Sequence, residues 1–208
     1  MGPTVHVVDD DEPTRRTTAR LLTAAGFTVR TYAAGSDLLA DLESNAPACI
    51  VLDVRMPGQS GFDIQETLTQ RGISLPIVFL TGYADIPETV RAIRDGAVDF
   101  LTKPVDQRVL VEAVTRALEK GAADRAVRAR RQALMAQYER LTPREREVLG
   151  HLIKGEINKR VAAQLNITER TVKVHRAQIL QKLHVDSIAA LVRFAIEVGL
   201  EPPAPIRK

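Results

Sequence analysis

The amino-acid sequence predicts an α/β domain built on a five-stranded, doubly wound parallel sheet of order 2-1-3-4-5, followed by an all-α domain. Two observations in the first 120 residues predict the sheet. Short β-branched runs alternate with longer amphipathic stretches five times, the pattern of repeated βα units. The middle runs are apolar almost throughout, as strands become when helices cover both faces of a parallel sheet. A third observation predicts the change of class: no strand signal occurs after about residue 121.

The predicted strands are Thr4–Val8, Thr28–Tyr32, Cys49–Leu52, Pro76–Leu80 and Val98–Leu101. The helical patterns between and after them are Pro13–Ala25, Gly35–Glu43, Gly61–Gln70, Asp85–Asp95 and Asp106–Lys120. Pro13 suits a first helical turn, and Gly26 and Gly96 follow helix ends. The segment 121–138 is rich in Ala and Arg, good helix formers, with too few apolar residues for a core stripe. It reads as an exposed connecting helix that Gly121 interrupts or kinks. Thr142-Pro143-Arg144-Glu145 is a helix start with capping-box spacing. Helices Asn158–Leu165, Glu169–Leu183 and Ser187–Val198 follow, with Thr168 and Asp186 as N-caps. The division is therefore 1–120, a linker at 121–138, and 139–208.

Composition narrows the function classes. Of 208 residues, 45% are apolar and 26% charged, ordinary globular material. The single Cys49 excludes an internal disulfide, and the four histidines have no zinc-type spacing. No apolar run approaches the roughly 20 residues of a spanning helix, and no signal-peptide layout opens the chain, so a cytoplasmic protein is expected. Charge divides unevenly. Residues 1–120 hold 12 Lys+Arg against 17 Asp+Glu, a balance of −5, whereas 121–208 hold 17 against 9, a balance of +8. A basic module carried by an acidic one suggests a polyanionic partner.

In a doubly wound sheet, ligands bind where the carboxyl ends of the strands converge. Asp9, Asp10 and Asp11 follow the first strand, Asp53 the third, Thr81 the fourth and Lys103 the fifth. Clustered carboxylates repel unless a cation joins them, and a hard divalent ion such as Mg²⁺ takes oxygen ligands of this kind. An ionised Asp53 so placed is a nucleophile for a phosphoryl group, whose oxygens Lys103 and the Thr81 hydroxyl can hold.

In the second module, Val172, Ile179 and Leu183 share one side of the third helix. Lys173, Val174, Ala177 and Gln181 lie on or near the other, an exposed face suited to a major groove. Lys159, Arg160, Arg170, Arg176 and Lys182 surround it with charge for backbone phosphates.

The segments VVDDDEP (7–13), VLDVRMPGQSGFD (51–63), FLTGYAD (79–85) and GAVDFLTKPVD (96–106) resemble the CheY-like receiver domains of two-component response regulators. The pattern from LTPREREVL through TVKVHR to QKLHV (141–185) resembles the LuxR-type helix-turn-helix. Together they place the chain with the NarL/FixJ subfamily. The resemblance implies Asp53 as phospho-acceptor, Asp10 as a direct Mg²⁺ ligand with Asp9 assisting, and the Arg55 backbone carbonyl as a further ligand. Thr81 and Lys103 would bind the phosphoryl oxygens, and Phe100 would be the aromatic switch residue. It implies DNA contact by the recognition helix, Thr171 included, with Ala177 standing where some relatives carry a polar or basic base-reader. His175 is expected on the packed side. The implied partners are a sensor histidine kinase, double-stranded DNA, a second copy on phosphorylation, and RNA polymerase. A phosphatase that shares the carboxylate nucleophile needs a second carboxylate two residues on, where this chain has Arg55.

Overall fold

The computed structural model describes residues 3–42, 48–82, 90 and 92–200. By its internal packing the chain divides into two compact units, Met1–Arg125 and Ala126–Lys208.

The first unit is built from β1 (Thr4–Val8), α1 (Glu12–Ala24), β2 (Thr28–Tyr32), α2 (Gly35–Asp41), β3 (Ala48–Asp53), α3 (Gly61–Gln70), β4 (Ile77–Thr81) and β5 (Asp99–Thr102). The strands form one all-parallel sheet in the order β2-β1-β3-β4-β5, as predicted. Alternation along each strand divides the core into two layers. Val5, Val7, Cys49, Val51, Val78 and Leu80 face one set of helices, with Leu22 and Leu110. Val8, Ile50, Leu52 and Phe79 face the other, with Leu38, Ile64 and Leu68. Of the predicted helix Asp85–Asp95, residues 83–89 and 91 lie outside the described residues; Val90 and residues 92–94 are helical.

Helix α4 (Gln107–Glu139) differs from expectation. Its first turns are buried through Leu110, Ala113, Val114 and Ala117. Gly121 neither breaks nor ends it. A Cβ there would come within 3.0–3.1 Å of the Pro76 ring, so the glycine permits close packing of the helix on that proline. The predicted linker thus continues a helix already begun.

The second unit adds α5 (Pro143–Ile153), α6 (Asn158–Leu165), α7 (Glu169–Lys182) and α8 (Ile188–Val198) around one core. That core holds Val148, Leu149, Leu152, Val161, Val172, Ile179, Leu183, Leu191, Phe194 and Val198. Leu134 and Tyr138 of α4 pack against it. The Thr142–Glu145 capping box forms as predicted: the Glu145 N–H donates to Thr142 Oγ1 (3.2 Å) and the Thr142 N–H to Glu145 Oε2 (2.8 Å). Thr168 caps α7, but α8 is capped by Ser187, which accepts from the Ala190 N–H, and not by Asp186. The two candidates are adjacent, and only the chain's path into the helix selects between them.

Candidate phosphoacceptor site and DNA interface

The sheet register brings the sequence-predicted acidic residues together. Val8 pairs with Leu52, so Asp9 and Asp53 leave neighbouring strands at the same level. Thr81 ends β4, and its carbonyl accepts from the Lys103 N–H at 2.7 Å. Oxygens of Asp9, Asp10 and Asp53 all lie within 4.8 Å of one another. Asp11 is sorted away from this group: its Oδ2 caps α1 by accepting from the Thr14 N–H at 2.9 Å.

Lys103 supplies the opposing charge. Its ammonium donates to Asp9 Oδ2 at 2.6 Å and to Asp53 Oδ2 at 2.9 Å. Asp9 is 2% exposed, and burial pushes its carboxyl above the ordinary carboxylate value, with Lys103 acting against that and the Asp53 charge adding to it. Burial alone would lower the Lys103 ammonium, but its bonds to Asp53 and Asp9 outweigh this and raise it. Lys103 therefore stays charged and already spans two of the carboxylates.

Thr81 is fully buried at the same edge. The Arg55 N–H donates to Asp53 Oδ1 at 3.3 Å, while the Arg55 side chain is exposed. Gly61 is required behind the acceptor, because a Cβ there would overlap the Asp53 carbonyl. Phe100 is half-buried and tilted against Phe79, ring centroids 6.0 Å apart. One contributor escaped the sequence reading. Arg15 donates from Nη1 to the backbone carbonyl of Asp9 at 2.7 Å, bracing the loop that carries two of the carboxylates. Its sequence signal is only that it stands four residues after the cap Asp11. The three carboxylates form an all-oxygen donor set of the type a hard divalent cation takes.

The second unit presents the predicted interface on α6 and α7. Val172, Ile179 and Leu183 are buried in the core, which turns Arg170, Lys173, Val174 and Ala177 outward. Lys159 and Arg160 are exposed at the start of α6. Thr171 and Arg176 are half-buried, and the Thr171 hydroxyl lies 2.8 Å from Thr168 Oγ1 at the N-cap. His175 has its Nδ1 buried without a hydrogen-bond partner among the described residues, in line with a position on the packed flank.

Lys182 is paired within its own unit. Its ammonium lies 2.8 and 2.7 Å from the two oxygens of Glu145, whose side chain is 3% exposed. Burial would raise the Glu145 carboxyl, but Lys182 and the Thr142 hydrogen bonds hold it below its ordinary value. Lys182 thus neutralises a buried carboxylate, a pairing the sequence reading of it as a phosphate contact did not include. No nearby residue signals this, because the partner lies 37 positions away.

A parallel sheet with a carboxylate trio and a lysine at its carboxyl edge, joined to a basic helical unit, defines a class: a receiver coupled to a DNA-binding module. Residues 5–115 match the response regulator receiver domain family, and residues 139–195 match the bacterial regulatory proteins of the luxR family. The chain belongs to the response regulators, with the receiver and LuxR-type DNA-binding domains of the NarL/FixJ type. It is 40% identical over 189 residues to the response regulator protein TodT of Pseudomonas putida, covering 91% of this chain and 83% of TodT. It is 38% identical over 199 residues to the transcriptional regulatory protein FixJ of Rhizobium meliloti, covering 96% and 98%. Among solved structures it is similar to the response regulator StyR, with TM-score 0.81, 44% identity and coverage of 95% and 100%. Full-length FixJ from B. japonicum matches with TM-score 0.55 and 35% identity over 95% and 98%. The protein is a phosphorylation-dependent transcription regulator, which implies a histidine kinase and DNA as partners.

Proposed function

We propose that Asp53 is the phospho-acceptor of this regulator, within a receiver of residues 1–120 joined through 121–138 to a DNA-binding domain at 139–208. The observation that carries the assignment is the Asp53 carboxylate, set beside Asp9 and Asp10 and held 2.9 Å from the Lys103 ammonium. An Asp53 oxygen attacks the phosphorus of the kinase's phosphohistidine. The O–P bond forms as the N–P bond breaks, and the imidazole nitrogen leaves and takes up a proton. Lys103 follows the new charge onto the phosphoryl oxygens, and the Thr81 hydroxyl approaches from the end of β4. Asp9, Asp10, Asp53 and the Arg55 carbonyl would hold Mg²⁺, which supplies neutralisation of the charge on the transferred group. The chain accelerates its own phosphorylation and slow dephosphorylation, without turnover of small substrates, because Arg55 occupies the place of a phosphatase's second carboxylate.

Drawing Thr81 toward the phosphoryl group frees space for Phe100 to move inward against Phe79, and the surface beside β5 changes with it. Val90 and Ile93, one helical turn apart, and Val109 are each exposed on the receiver, and a second activated copy can cover apolar residues of this kind. On the second unit, Ile196 of α8 is 54% exposed and suits the contact between two DNA-bound copies. The dimer then binds a two-fold symmetric operator through Lys159, Arg160, Arg170, Thr171, Lys173, Val174, Arg176 and Ala177, and from there acts on RNA polymerase. Among the described residues no helix is long and apolar enough to cross a membrane, and a cytoplasmic site of action fits this role.

Incubation with a small-molecule phosphodonor and Mg²⁺ should add one base-labile phosphoryl mass, and the Asp53→Asn variant should add none. Equal labelling of that variant would overturn the assignment.

A further inference from the structure

Two exposed positions on the α7 interface, Val174 and Ala177, lack hydrogen-bonding side chains, although exposed Gln178 and Gln181 stand one turn further along. Val174 is 51% exposed, and Ala177, three residues on, is exposed on the same face. The core explains neither. The helix buries its apolar residues on the other side, Val172 and Ile179 both fully. A β-branched residue at an exposed helix position loses side-chain freedom and gains no burial there. Around the two positions stand Arg170 and Lys173, exposed cations that can reach phosphates or guanine edges.

Val174 and Ala177 can therefore offer a base edge only methyl groups. Hydrogen-bonding atoms on any base placed opposite them would be stripped of water without receiving a partner, which disfavours such pairs. One base edge in the major groove carries an apolar group, the C5-methyl of thymine. Side chains three residues apart on a helix stand about 5–6 Å from each other, a distance that spans one to two base-pair steps of about 3.4 Å.

We propose that α7 reads thymine methyl groups at two adjacent or next-adjacent positions of each half-site, one through Val174 and one through Ala177. The inference rests on the DNA-binding role of the second unit and names the base that role selects. Ala177 is the position that most separates this chain's operator from those read by a polar side chain there. A short apolar residue accepts a methyl group and supplies nothing to guanine or adenine.

The test begins with selection of bound sequences from a randomised duplex library by the full-length chain, with phosphodonor and Mg²⁺ present. Each thymine of the selected half-site is then replaced singly by deoxyuridine, which keeps base pairing and removes only the methyl group. At two thymines the affinity should fall about fourfold, the value of one buried carbon at about 0.8 kcal/mol. Val174→Ala should abolish the sensitivity at one of them and leave the other intact, whereas Ala177→Gly should do the reverse. Deoxyuridine replacement without effect at every position, a selected half-site lacking paired thymines, or unchanged sensitivity in both variants would each overturn the proposal. Failure to retain any duplex even at low salt would instead overturn the DNA-binding role itself, so the two failures are distinguishable.

Discussion

Replacing Lys182 should unfold the DNA-binding unit more readily than replacing its partner. In Lys182→Met the Glu145 carboxylate, 3% exposed, loses the ammonium at 2.7–2.8 Å and keeps the Thr142 N–H at 2.8 Å. Stranding one member of a buried pair costs about 3–5 kcal/mol, and the surviving hydrogen bond places this case near the lower end. In Glu145→Gln the capping acceptor remains and Lys182, whose side chain is 36% exposed, turns to water, so the loss is about 1 kcal/mol. For a unit of this size, about 3 kcal/mol lowers the melting temperature by roughly 12 °C or more. Circular dichroism melts of the full chain would read this, with receiver unfolding as the internal reference. The pH response differs between the two proteins. In the natural chain Glu145 titrates below its ordinary value, so its contribution is present above about pH 4.3 and is lost as pH falls through the folded value. In Lys182→Met the Thr142 hydrogen bonds alone oppose burial, so that carboxyl rises from its natural folded value and the variant's deficit should narrow as the pH is lowered. A variant with the natural melting temperature, weaker on all DNA and with a salt slope shallower by about one, would refute this reasoning and restore Lys182 as a phosphate contact.

Three further outcomes are expected. Lys173→Ala should reduce discrimination between operator and random duplex by about 1–3 kcal/mol, whereas Arg160→Ala should weaken both alike and flatten the salt dependence by about one unit; titrations at several salt concentrations separate the two. Cys49 is fully buried and burial pushes its thiol up to about 12, so iodoacetamide should leave the native chain unmodified and label it on urea unfolding; prompt native labelling would show that the sheet opens there. Gly61→Ala should cost about 1–3 kcal/mol, since the added carbon overlaps the Asp53 carbonyl, and should slow phosphoryl incorporation; denaturant midpoints and labelling rates would show whether the loop yields instead.

The sequence by itself determined the sheet order, every described strand to within a residue or two, and the strand ends that carry Asp9, Asp10, Asp53, Thr81 and Lys103. The strands and their ends rest on short-range periodicity, and the order on the doubly wound architecture that repeated βα units point to. The Thr142–Glu145 capping box was equally legible, because its partners are three residues apart. Tertiary structure alone decided which of three consecutive aspartates caps α1 and which two approach Asp53. It also decided that Gly121 meets Pro76 inside a continuous helix, that Arg15 braces the Asp9 carbonyl, and that Lys182 pairs with Glu145. Each of those outcomes depends on which side of an element is covered, or on a partner tens of residues away. Charge and spacing show that a lysine can meet an anion, but only packing determines which anion is deprived of water and therefore holds it.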